Sequence, residues 1–205
     1  MKMYRIDLLR HGETELSHTL RGSTDDALTD SGWQQMHHTV VQSLKNNAHF
    51  KPWDIVFSSP LQRCALFADE IANNLKLELI LDRNLQEMHF GDWEGVSTQE
   101  IYEKQPELLA KFWETPTRFS PPNAETMQQF QQRILNAMQQ VQHSMQQNQF
   151  AHAMVVTHGG VIKLLKCLAF NQPLDNILKM SAELGQFNHF ILHDNLSIEY
   201  VEQSV

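Results

Sequence analysis

Cysteine is nearly absent: Cys64 and Cys167 are the only two in 205 residues. Their spacing supports neither a disulfide framework nor a zinc motif. No apolar run approaches the ~20 residues of a membrane span, and the amino terminus lacks a long apolar signal region. The expectation is a protein of the reducing cytoplasm. Basic residues are outnumbered, 16 Lys and Arg against 24 Asp and Glu, for a formal net charge of −8. That excludes a general nucleic-acid binder, whose footprint is a basic face. It leaves room for an anionic substrate, because a local cluster of Arg and His makes a positive pocket on an acidic protein. No His-Glu-x-x-His or comparable cluster is present, so no metal is expected, and no internal repeat occurs. With 41% hydrophobic and 20% charged residues, the rest is ordinary for one globular domain with a full core.

Apolar, β-rich runs occur at Tyr4–Leu9, Asp54–Ser58 and Ala153–Thr157, with helical stretches between them. Thr29 is placed to cap a helix over Asp30 to Lys45. Ser59-Pro60 reads as an N-cap followed by proline at the first helical position, opening a helix to about Leu75. Ser97 with Glu100 has the form of a capping box. From Thr126 to Gln147, Met127, Phe130, Ile134, Met138, Val141 and Met145 recur every three or four positions, which makes an amphipathic helix with a glutamine-rich, solvated face. Phe187–Leu192 and Leu196–Val201 flank His193-Asp194-Asn195 as a hairpin. Strands alternating with helices predict an α/β sandwich with a largely parallel sheet, the hairpin adding an antiparallel edge. Residues from about 88 to 122 have helical pieces and no clear strand, as an inserted helical cap would.

Chemistry concentrates just beyond the strand ends, where open α/β sheets bind ligands. Arg10-His11-Gly12-Glu13-Thr14 follows the first strand, and the second leads into Ser58-Ser59-Pro60-Leu61-Gln62-Arg63. Thr157-His158-Gly159-Gly160 follows the third, at a helix start. Two guanidiniums, a second imidazole and helix-start amides would converge on one anion. A fourth segment, Leu85 to Gly95, offers carboxylates. A phosphoryl group in transfer spreads charge over its equatorial oxygens, which Arg10, Arg63 and His158 would stabilise. His11, neutral beside a cation, would attack in line. Glu87 is the expected proton donor to the leaving alkoxide, with Glu13, Asp92 and Glu94 as nearby alternatives. Cys64 beside Arg63 invites a thiol-phosphatase reading, but Glu70 stands where a Cys-x5-Arg loop needs arginine. The remaining histidines, His49 among them, read as surface or packing residues, and Trp93 and Trp113 as packing rather than as stacking platforms.

These segments resemble the histidine phosphatase, or phosphoglycerate mutase-like, superfamily over nearly the whole chain. The match lies in Leu9 to Thr14, Ser58 to Arg63, Glu87 with Phe90 to Gly95, and Thr157 to Gly160. The resemblance implies a Rossmann-like α/β/α core, no cofactor, and His11 as the phosphorylated nucleophile. It also implies Arg10, Arg63, His158 and Gly159 as the phosphate pocket, with Glu87 as proton donor. Arg21-Gly22, with the residues from Asp26 to Thr29, keeps the family pattern at the pocket mouth. Two positions depart. Ser17 stands where members often carry Asn, though it can still donate one hydrogen bond to phosphate. Pro122-Asn123-Ala124-Glu125-Thr126 replaces a Pro-Gly-Gly-Glu-Ser segment common among the phosphatases.

Mutases of the superfamily typically carry a Glu-Arg-His-Tyr-Gly run and a longer insertion, whereas Glu87 precedes Met88-His89-Phe90 in a short chain. The resemblance is therefore to the phosphatase branch, and most to bacterial α-ribazole phosphatases of cobalamin nucleotide-loop assembly. The expected partner is a small phosphorylated metabolite, with a homodimer left open. A broad-specificity sugar or metabolite phosphatase, a mutase, a metal-dependent hydrolase and a non-catalytic phospho-ligand module are the rival readings.

Overall fold

The computed structural model describes residues 2–46 and 52–202; His49 lies outside them. Six strands form one sheet in the order β3-β2-β4-β1-β5-β6. They are β1 (Met3–Arg10), β2 (Ile55–Ser58), β3 (Glu78–Leu81), β4 (His152–Thr157), β5 (Phe187–His193) and β6 (Ile198–Val201). The first four run parallel, and β5 with β6 makes the antiparallel edge. The helices are α1 (Asp30–Asn46), α2 (Gln62–Leu75), α3 (Thr98–Lys104), α4 (Pro106–Glu114), α5 (Met127–Gln147) and α6 (Gly159–Ala169).

Successive side chains of a strand point to opposite faces, and here both faces are covered. Ile6, Leu8, Ile55, Phe57, Ala153 and Val155 join the core beneath α5 and α6. Leu9, Val56, Met154 and Val156 join the core beneath α1 and α2. Burial on both faces is why these strands read as continuous apolar runs rather than alternating ones. The result is a three-layer α/β/α sandwich.

Register then fixes the site. Arg10 pairs with Thr157 across β1 and β4, and Ser58 with Val156 across β2 and β4. The three motif-bearing strand ends therefore finish side by side. Helix α5 is held at its start by a complete capping box: Gln129 N–H donates to Thr126 Oγ1 at 3.2 Å, and Thr126 N–H to Gln129 Oε1 at 2.8 Å. Its apolar stripe is buried and its glutamines face solvent.

Four local points need correction. Helix α2 begins at Gln62 behind Leu61, not at Pro60; the Ser59 hydroxyl meets His158 Nε2 at 2.8 Å and accepts the Leu61 N–H at 3.4 Å, ahead of the helix. Strand β3 is absent from the sequence reading; it is four residues long and sits at the sheet edge. The hairpin turn spans residues 194–197, with Leu196 at positive φ, so the second strand starts at Ile198. Ser97 accepts the Glu100 N–H, but the Glu100 carboxylate binds Lys104 and does not return to close the box.

The 88–122 segment contains α3, α4 and a short 3-10 turn at Gly91–Trp93. Its Trp93, Ile101, Leu109 and Phe112 merge into the core beneath α5 and α6. Trp93 is fully buried edge-on to Phe112, whereas Trp113 is half exposed. Among the described residues, no helix is long and apolar enough to cross a membrane.

Candidate active site

A cavity of about 230 Å³ opens over the carboxyl ends of β1 and β4. His11, Arg10, Arg21, Glu87, Gly159 and Gly160 are among the residues that line it. His11 leaves β1 with its backbone N–H on Thr157 O at 3.0 Å. Its Nδ1 lies 2.8 Å from Gly12 O. A carbonyl can only accept, so Nδ1 carries the proton and Nε2 keeps its lone pair. Burial, then Arg63, Arg10 and Arg21, push His11 well below the usual imidazolium range, with the Gly12 carbonyl opposing them. The ring is therefore a neutral nucleophile at pH 7.

The second imidazole stands 5.3 Å from the first, ring centroid to centroid, at 64°. Arg63 Nε–H donates to His158 Nδ1 at 3.3 Å, which places the His158 proton on Nε2, donated to Ser59 Oγ at 2.8 Å. His158 is wholly buried; that burial, and after it Arg63, His11 and Arg10, keep it neutral.

Arg63 behaves differently from the expectation. It is 0% exposed, and every one of its donors faces a protein acceptor. Nη1 donates to Thr24 O at 2.6 Å and to Asp26 Oδ1 at 3.0 Å. Nη2 donates to Gly22 O at 2.8 Å and to Arg21 O at 3.5 Å. Arg63 and His158 thus stand behind the cavity wall, as an organiser of the loop 21–26 and a source of positive potential. Arg10 and Arg21 face the cavity itself. Arg10 Nη1 donates to Ala182 O, and its Nε has no partner. Arg21 Nη1 donates to Leu16 O and Thr19 O, and its Nε sits 3.1 Å from Asp26 Oδ2. Both keep Nη2 uncommitted among the described residues.

Glu87 lies across the cavity. Its Oε2 accepts Gly160 N–H at 2.8 Å and its Oε1 accepts Met88 N–H at 2.9 Å. A Cβ on residue 160 would stand 2.1 Å from Glu87 Oε1, so glycine there is what admits the carboxylate. The alternative acids are disposed of by position, since Glu13, Asp92 and Glu94 do not line the cavity. Glu94 accepts from Gly22, Ser23, Thr24 and Phe90 amides and from Thr24 Oγ1. Burial alone would raise its pKa, but the Thr24 hydroxyl and these amides hold it below the usual carboxylate value. It is a loop clamp, not an acid.

The other expected residues divide. Gly22 belongs to this clamp, and a Cβ there would overlap Met88 O. Gly159 opens α6 against Arg10. Ser17 is exposed, its hydroxyl accepts Thr14 N–H at 2.9 Å, and it is not part of the cavity lining. The Cys64 thiol is wholly buried, and burial pushes it up to about 12, so no thiolate is available there.

Sequence reasoning missed the roles of five residues. Ser59 carried a helix-cap signal that concealed its imidazole contact. Asp26 bridges Arg21 and Arg63. Arg133 fixes the Glu87 segment by donating to Asn84 O, Gln86 O and Glu87 O while paired with Glu125. Its only signal was a cation bordering the apolar stripe of α5. Glu125 comes from the divergent 122–126 loop, where Asn123 takes φ of 60° without glycine. Lys163 lines the cavity from α6.

Comparison with known proteins bears on the family and the fold. The sequence pattern of the histidine phosphatase superfamily (branch 1) matches residues 6–198. Phosphoserine phosphatase 1 of Hydrogenobacter thermophilus is 28% identical over 188 residues, covering 91% of this chain and 85% of that protein. Adenosylcobalamin/alpha-ribazole phosphatase of Escherichia coli is 26% identical over 186 residues, covering 88% and 86%. Mycobacterial proteins 29% identical over 98% of this chain are longer, and the chain spans 54% of their length. In fold, the alpha-ribazole phosphatase of Shigella flexneri superposes with a TM-score of 0.79 at 22% identity, covering 96% of this chain and 94% of that one. The chain belongs to the histidine phosphatase superfamily, as a phosphoric monoester hydrolase.

Proposed function

We propose that the chain hydrolyses a small phosphomonoester through a phosphohistidine on His11, with no metal taking part. The carrying observation is the His11 ring, neutral, anchored through Nδ1–H on Gly12 O, and set with Arg10 and Arg21 in one cavity. The Nε2 lone pair forms a bond to phosphorus as the ester P–O bond breaks. Arg10 and Arg21 take the equatorial oxygens, and Arg63 and His158 supply potential and shape from behind. The departing alkoxide takes the proton of the Glu87 carboxyl. The resulting carboxylate then removes a proton from water, whose oxygen attacks phosphorus, and the P–N electron pair returns to Nε2. Among the described residues, no group of His, Cys, Asp or Glu is arranged to hold a metal ion.

The test is to mix enzyme with phenyl phosphate, quench in alkali and look for phosphohistidine by mass spectrometry. The expected result is modification of His11 only, with turnover unaffected by EDTA. A His11→Ala variant with near wild-type turnover would sink the covalent mechanism, and complete loss of activity in EDTA would revive a metal-dependent one. Glu87→Gln should slow alkyl esters far more than aryl esters, whose oxygen leaves with little help.

We read the chain as one domain in which residues 88–122 shape the leaving-group end, because Met88, Phe90 and Phe112 line the cavity. A second reading, hydrolysis of α-ribazole 5′-phosphate, is favoured by that same apolar lining, on which an uncharged aromatic base would pack. The names of the relatives support it no more than they support an acidic substrate such as phosphoserine. Specificity constants on the two esters separate them.

A further inference from the structure

Much of the cavity lining is apolar, with Leu20, Phe90, Phe112, Met127, Phe130 and Ile177 on its walls. Against that lining stands one cation besides Arg10 and Arg21: Lys163. It lies three residues after Gly160, so it shares with it the face of α6 that meets Glu87. The helix rises only about 4.5 Å over that interval, which puts the lysine about one turn from Gly160, whose N–H binds Glu87. Lys163 is half-buried, and among the described residues its ammonium has no hydrogen-bond or ion-pair partner within 4 Å. Burial, then the charge of Arg10, lower its pKa, while the charges of Glu87 and Glu183 oppose this.

We propose that Lys163 receives a second anionic group, a carboxylate or a further phosphate, carried by the alcohol portion of the substrate. Any alcohol filling this cavity displaces water from the ammonium. An uncharged apolar alcohol would leave the charge desolvated and unpaired, which is costly. One bearing an anion turns the same residue into a charge-assisted contact. A buried polar group of this kind rejects ligands that leave it unsatisfied more strongly than an apolar wall rejects a poor fit. Lys163 therefore separates acidic alcohols from neutral ones, and places α-ribazole 5′-phosphate among the disfavoured esters. This inference rests on the phosphomonoesterase reading above and narrows its substrate.

The test measures kcat/KM for wild type, Lys163→Met and Lys163→Arg. The esters are O-phosphoserine and 3-phosphoglycerate (carboxylate), fructose 1,6-bisphosphate (second phosphate), α-ribazole 5′-phosphate and phenyl phosphate. Wild type should prefer at least one acidic-alcohol ester to the ribazole ester, and which one wins identifies the anion. In Lys163→Met the ratio of that ester to phenyl phosphate should fall about tenfold or more, mainly through KM, and Lys163→Arg should restore most of it. An unchanged ratio, or a wild type faster on the ribazole ester, overturns the inference. Phosphohistidine formed from phenyl phosphate in the same preparations separates the two levels. If it forms while the ratio stays flat, only the role of Lys163 fails. If no ester yields it, the phosphohistidine reading fails and this one with it.

Discussion

Strand β1 feeds two buried polar clusters, and they are finished to different degrees. Asp7, on the α1/α2 side of the sheet, is 1% exposed. Its Oδ1 accepts from Arg5 and His189, and its Oδ2 from Trp53 and His152. Burial alone would raise the Asp7 pKa, but the hydrogen bonds and charges of His152 and His189 hold it far below the usual carboxylate range. Both carboxylate oxygens are doubly engaged, and the cluster lies under an aromatic cover of Trp53 and Phe187. Three residues on, the cluster at the strand end is open. His11 Nε2 has no partner among the described residues, Arg10 Nε is unpaired, and Arg10 and Arg21 each keep an uncommitted Nη2. Buried polar groups normally close on themselves. The unfinished valences, rather than the buried charge, separate a site from a brace.

Within the open cluster Arg63 is the exception, a closed residue in an open site, and removing it should produce the largest effect. Arg63→Met leaves Asp26 with only one of its two arginine partners and strips the Thr24 and Gly22 carbonyls of their donors, which should cost about 3–5 kcal/mol of stability. It also frees the loop 21–26 that carries Arg21, and the lost electrostatic stabilisation should lower kcat by roughly 10²–10³. Urea melts and steady-state kinetics on the folded fraction read the two terms separately. A variant of normal stability and strongly reduced kcat would instead mean that Arg63 turns to touch phosphate directly.

Asp7→Asn probes the closed cluster. The amide loses the charge and points an N–H₂ at groups that donate, so the expected destabilisation is about 3 kcal/mol. The folded enzyme should turn over phenyl phosphate within about twofold of wild type, because nothing in this cluster reaches the cavity. A large fall in kcat with little change in stability would break the distinction between the clusters.

The unequal legibility of the molecule follows from the same contrast. Arg10, His11, Arg63 and His158 were readable because each sits within a few residues of a strand end, where local pattern and ligand geometry coincide. Helix α5 was readable because its stripe repeats over six turns. Asp7 is hidden inside an apolar run, and His152 and His189 lie 145 and 182 residues away. No local pattern encodes those pairings. Ser59 failed for a related reason. Ser-Pro before a helix reads the same whether the hydroxyl caps an amide or meets an imidazole 99 residues along the chain. Strand β3 offered only Glu-Leu-Ile-Leu, too short for periodicity to separate an edge strand from the end of a helix. The Arg63 motif disclosed its place but not its bonds, since most of the acceptors that occupy it are carbonyls and a carboxylate of the loop 21–26, far off in sequence.

The finest separation of the clusters is by pH. His11 and His158 are neutral in the fold because burial and the neighbouring arginines lower their pKa. Once unfolded they bind protons below about pH 6.5. There the unfolded chain holds more protons than the folded one, so stability falls as pH falls, by about 1.4 kcal/mol per pH unit for each histidine. Asp7 acts later. Its carboxylate is depressed in the fold, so its contribution is complete above the unfolded value of about 3.9 and is lost only as pH drops below it. Urea midpoints from pH 7 to pH 5 should therefore decline, and the slope should shrink in His11→Gln but persist in Asp7→Asn. Over the same range kcat/KM should show no acid limb from His11 once the ester's own ionisation near pH 6 is divided out. A flat stability profile between pH 7 and pH 5, or an activity limb at about 6.5 that remains after the ester's ionisation is divided out and moves when Arg10 or Arg21 is replaced, would show that the strand-end histidines are not held neutral by the arginines around them.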